Sequence, residues 1–72
     1  MDKEDLKKLA YIIKYSRDKK GLSQERLAEL AGVSVATIGA LERGVANLTL
    51  TNYYNICKIL DIDMGVLNNF QL

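Results

Sequence analysis

The side chains able to do chemistry are few in this 72-residue chain, and the missing ones narrow the possibilities first. There is no histidine, and the single cysteine, Cys57, has no partner for an internal disulfide. Without histidine the commonest general base is gone and a zinc site lacks its usual ligands. No Gly-rich phosphate loop and no G-x-S-x-G is present, so the chain is read as a non-enzyme that holds no metal and no cofactor. Binding chemistry remains, and one stretch concentrates it: "LAELAGVSVATIGALERG", Leu27 to Gly44. Between Ser34 and Arg43 the side chains off the apolar stripe are small, namely Val35, Ala36, Gly39 and Ala40. A helix that presents so little is either inert or meets a surface that it approaches closely.

Elements must exist to position these residues. Breaks at Gly21, Gly32 to Ser34, Gly44 to Leu48 and Asp61 divide the chain into four helices. The first runs from about Lys3 to Lys20, with Leu6, Leu9, Ala10, Ile13 and Arg17 along one side and Gly21 as its stop. The next three share one start, in which a hydrophobic residue precedes a Ser or Thr cap and a second hydrophobic follows the cap by four. Leu22-Ser23 pairs with Leu27, Val33-Ser34 with Ile38, and Leu48-Thr49 with Tyr53. These starts predict helices near 24–31, 35–43 and 50–60, the last with Leu50, Tyr53, Cys57 and Leu60 on its inner stripe. After Leu60, Ile62, Met64 and Val66 alternate with Asp61, Asp63 and Gly65. That alternation fits a strand pairing with its twofold copy, or a last short helix or turn started by Asp63.

Length and composition bound the rest. A chain this short forms one domain, residues 1–72, and buries so little apolar surface that a dimer is expected. With 49% hydrophobic and 26% charged residues it is a folded domain, not a disordered or collagenous one. No apolar run spans a membrane, and "MDKEDLKK" is too charged for a signal peptide, which predicts a cytoplasmic protein. Net charge is only +1, yet residues 1–20 carry seven basic side chains against four acidic. This segment is either a solvated face or one turned toward phosphates.

Two short helices joined by Gly32-Val33-Ser34 form a helix-turn-helix over about 23–43, with Ala28 and Ile38 where they pack and Leu41 beside Ile38 on the inner stripe. That geometry alone does not specify DNA binding. The wider stretch "KKGLSQERLAELAGVSVATIGALERG", however, resembles the phage-repressor (Cro/C1, XRE) type of helix-turn-helix domain from about Leu9 to Ile62. The resemblance implies an all-α, four- or five-helix, lambda-repressor-like fold that binds palindromic double-stranded operator DNA as a homodimer, with helix three in the major groove. It implies a prokaryotic or phage-encoded regulator of transcription, a repressor or autoregulator.

Carried over residue by residue, the resemblance puts Gln24 on a phosphate, Ser34 likewise at helix three, and Ser23 with them among the nucleic-acid-binding residues. Val35, Ala36, Thr37 and Ala40 fall on the base-reading positions, and Arg43 and Asn47 on the DNA backbone just beyond. Arg17 and Glu42 would form a partly buried ion pair. The family often has Gln, Asn or Arg at the base-reading positions, and this chain departs there. No residue supplies a two-bond purine code except Arg43, so phosphate contacts, close approach and DNA shape are expected to carry much of the selectivity.

The segment "NLTLTNYYNICKILDIDMGVL" is similar to the corresponding part of Hip-type antitoxins, whose helix-turn-helix domain ends in a strand that pairs across the dimer and which bind a toxin as well as DNA. This likeness implies a dimerisation segment over about 61–72, carried by Ile62, Met64, Val66 and Phe70. It also supplies the alternative function, a module whose main role is to hold a toxin or other protein partner.

Overall fold

The computed structural model describes residues 3–45, 48–63 and 65. Four helices follow one another: α1 (Lys3–Lys19), α2 (Gln24–Ala31), α3 (Val35–Glu42) and α4 (Leu50–Ile59). The fold is all-α, and no strand occurs among the described residues.

Local chemistry sets both ends of these helices. Ser23, Ser34 and Thr49 hold extended backbone, and each side-chain oxygen accepts from the N–H three residues on: Arg26 at 2.9 Å, Thr37 at 3.1 Å and Asn52 at 3.2 Å. The residues before the caps, Leu22, Val33 and Leu48, pack against the core and fix how the chain enters each helix. All four helices stop alike. Gly21, Gly32, Gly44 and Asp61 take left-handed backbone, and the next N–H reaches back across the last turn. Leu22 donates to the Arg17 carbonyl (3.2 Å), Val33 to Ala28 (3.0 Å), Val45 to Ala40 (3.0 Å) and Ile62 to Cys57 (2.8 Å). At Gly44 close approach adds to the positive φ, because a Cβ there would stand 3.4 Å from the Lys7 Cα.

The core is built where the helices cross. Leu9 and Ile13 from α1, Leu27, Ala28 and Ala31 from α2, Ile38 and Leu41 from α3, and Ile56 with Leu60 from the end of α4 form one buried cluster. Cys57 is buried beside them. Burial pushes its thiol up, and burial followed by the nearby Cys57 pushes the Tyr53 phenol up. Leu50 corrects the expected α4 stripe, since it is 70% exposed. It is the first residue of α4 and projects past the edge of a core that the helix meets only over its last two turns.

The described part of the tail follows the turn alternative. Ile62 spends its N–H on Cys57 and packs on the core, and the Asp63 carboxylate accepts from the Gly65 N–H at 2.8 Å. Met64, Val66 and Phe70 lie outside the described residues, as does Asn47. No described helix is long and apolar enough to cross a membrane.

Asp61 is the one described non-glycine residue with positive φ, at 58°. Left-handed backbone is unfavourable for an L side chain by roughly 1 kcal/mol, less for Asp than for most. Its exposed ion pair with Lys20 (2.6 Å) offsets little of that. Asp61→Gly is expected to raise stability by about 0.5 kcal/mol in urea denaturation. A lower midpoint would show that the ion pair outweighs the backbone.

Candidate nucleic-acid interface

The turn between α2 and α3 is held by Gly32 and Val33 bonding back into α2, after which the Ser34 cap starts α3 at once. So short a connection fixes the angle of α3, and Ile38 and Leu41 then lock its inner face into the core. The outer face carries Val35, 46% exposed, with Ala36 and Arg43 also exposed and Thr37, Gly39 and Ala40 half-buried. The Thr37 hydroxyl lies 2.8 Å from the Ser34 hydroxyl, so the cap and the first turn of α3 brace each other.

Behind this face sits a charged cluster. The Glu42 side chain is only 3% exposed and accepts from Arg17 Nε (2.6 Å), Arg17 Nη2 (3.1 Å) and Gln24 Nε2 (3.0 Å). Arg17 Nη1 donates to the Leu22 carbonyl at 2.7 Å and lies 3.2 Å from Asp18 Oδ1. The fork therefore joins α1, the turn after it and the last residue of α3, and Gln24 ties the first turn of α2 to the same carboxylate. The hydrogen bond to Glu42 is the main reason that the Arg17 guanidinium is held above its ordinary pKa, with burial opposing and the Glu42 and Asp18 charges assisting. No described buried side-chain nitrogen or oxygen lacks a hydrogen-bond partner.

The sequence-expected residues thus gather in two groups. Ser23 and Gln24 open α2, with the Ser23 oxygen engaged as a cap and the Gln24 amide tied to Glu42. Ser34, Val35, Ala36, Thr37, Ala40 and Arg43 run along α3. Of the basic residues in α1, Lys14 pairs with Asp18, and Lys20 beyond its end pairs with Asp61, both pairs exposed. The sequence marks Gly39 only as one of several small residues and does not show its relation to Arg43. A Cβ there would stand 3.2 Å from Arg43 Nη1 and 3.9 Å from Gln24 Oε1. The signal was available as a glycine in the middle of a helix whose backbone does not require one. Among the described residues, no three His, Cys, Asp or Glu side chains gather as a metal site.

A short turn between two helices and an inward-locked second helix define a helix-turn-helix, and the family to which the chain is matched makes it one of the DNA-binding regulatory kind. A helix-turn-helix family model matches residues 13–67, and the chain belongs to that family, in its phage-repressor (Cro/C1, XRE) branch. Antitoxin HipB of Escherichia coli (strain K12) is 36% identical over 56 residues, which cover 78% of this chain. The match spans 64% of HipB, less than two thirds of that protein.

Two stability predictions follow from this geometry. Glu42→Ala leaves Arg17 buried without its carboxylate and is expected to cost roughly 3 kcal/mol in denaturant unfolding, with much of the loss recovered in Arg17→Met/Glu42→Ala. Equal instability of single and double variants would mean that the pair contributes through shape rather than charge. Gly39→Ala is expected to stabilise the free protein by about 0.5–1 kcal/mol, since Ala is the better helix former and the only side-chain atoms in its way are the ends of flexible chains. A fall in melting temperature would show that the Arg43 placement stabilises the fold itself.

Proposed function

We propose that this protein is a cytoplasmic, dimeric, sequence-selective repressor or autoregulator that lays α3 in the major groove of a palindromic operator. The observation that carries the reading is the division of α3 into an inner face locked by Ile38 and Leu41 and an outer face small enough for close approach to base edges. Val35, Ala36 and Ala40 would offer methyl groups to thymine, and Thr37 a methyl and a hydroxyl. Ser23, Gln24 and Ser34 stand at two helix N-termini, where backbone N–H groups and the helix dipole favour a phosphate. Gln24 keeps a second Nε2 hydrogen for that contact beyond the one given to Glu42. Arg43, at the C-cap of α3, and Asn47 would also contact the DNA. Residues 61–72, through Ile62, Met64, Val66 and Phe70, would join two copies so that their α3 helices enter successive major grooves one turn apart.

A second reading has a specific support. HipB is an antitoxin, and on that likeness the second reading is a module whose main role is to hold a toxin or other protein partner, with DNA binding secondary.

Selection from a pool of random duplex DNA at physiological salt distinguishes these readings. Recovery of a palindrome with half-sites about 10 base pairs apart is expected, with affinity falling steeply as salt rises. Gln24→Ala and Arg43→Ala should then each weaken binding to the recovered site. Retention of duplex without any enriched sequence, or none retained, would move the function to protein partners.

A further inference from the structure

The glycine in the middle of α3 is unexplained by the fold. Gly39 is helical with no positive φ, so its backbone is open to any residue. A Cβ there would meet no core atom. The atoms nearest its place are Arg43 Nη1 at 3.2 Å and Gln24 Oε1 at 3.9 Å, the ends of two polar side chains converging on one vacancy.

Both are there for physical reasons. Side chains on a helix lean toward its N-terminus, so Arg43, at the C-cap, runs back one turn and brings its guanidinium over residue 39. The charge therefore lies over residue 39, one turn back along α3, and not beyond its end. Gln24 is oriented from behind. The Glu42 carboxylate can only accept, so the Gln24 amide must turn its NH2 toward Glu42, and its oxygen is left facing the space above Gly39. Glu42 is itself held by Arg17.

We propose that Gly39 and Arg43 form a specificity-determining pair, in which the missing side chain at 39 admits the Arg43 guanidinium to the reading face, where it takes the O6 and N7 acceptors of a guanine. This rests on the major-groove reading of α3 and deepens it by naming the base. A bidentate Arg–guanine contact supplies the two-bond code that the small side chains of α3 lack.

The test is fluorescence anisotropy of the full chain on the duplex recovered by selection and on its single-base variants, at fixed salt. Arg43→Ala is expected to abolish preference for guanine at one position per half-site, a loss of roughly 5- to 100-fold, with preferences elsewhere kept. Gly39→Val should remove the same preference at the same position and change little when added to Arg43→Ala, with thermal melts showing that each variant folds. Uniform weakening of all duplexes by Arg43→Ala, with the salt slope reduced by about one, would mark a phosphate contact and overturn the proposal. So would a Gly39→Val penalty that persists in the Arg43→Ala background, which marks a direct clash with DNA. If the parent chain enriches no sequence at all, the groove reading fails and takes this pair with it, an outcome told apart because no base preference then exists to be lost.

Discussion

The carboxylate of Glu42 is the point on which the arrangement of the first three helices depends. It lies at the end of α3, nearly sealed from solvent, and takes hydrogen bonds from a guanidinium on α1 and an amide on α2. Apolar contacts are non-directional and would tolerate a small rotation of α3 about its own axis. A bidentate Arg–carboxylate pair would not, because two parallel bonds define a plane. The buried pair therefore fixes which residues of α3 face outward, a property that Ile38 and Leu41 alone leave looser.

Around that point the helices need little from one another. Each of α2, α3 and α4 begins on a cap oxygen and every helix ends on a left-handed residue, so the boundaries are settled within the segment itself. This explains how much could be read from the sequence. Ser23, Ser34 and Thr49 were legible as starts, and Gly21, Gly32, Gly44 and Asp61 as stops, because the chemistry that makes them so is local. The four helices and the helix-turn-helix were legible for the same reason.

What was illegible depended on distance or on emptiness. Arg17 and Glu42 are 25 residues apart, and no spacing rule joins them; only the likeness to a known family suggested the pair. Periodicity placed Leu50 on the inner stripe of α4 because a pattern says which face is apolar but not where the core ends. The alternation after Leu60 suits a strand as well as a turn, and the bonds made by Ile62 and Asp63 are invisible to it. Gly39 was hardest, since its relation to Arg43 consists of an atom that is absent.

The repeated closure at the helix ends also bears on how the chain folds. Bonds such as Val33 to Ala28 and Val45 to Ala40 link residues five apart, so each helix can stop correctly before any distant partner arrives. Little loop-closure entropy stands between the unfolded chain and most of its native turns. A topology so rich in short-range contacts belongs with the fast folders, in the microsecond to millisecond regime. The slower part of the search is the meeting of elements far apart in the sequence, α1 with the end of α3 through Arg17 and Glu42, and α2 with α4 in the core.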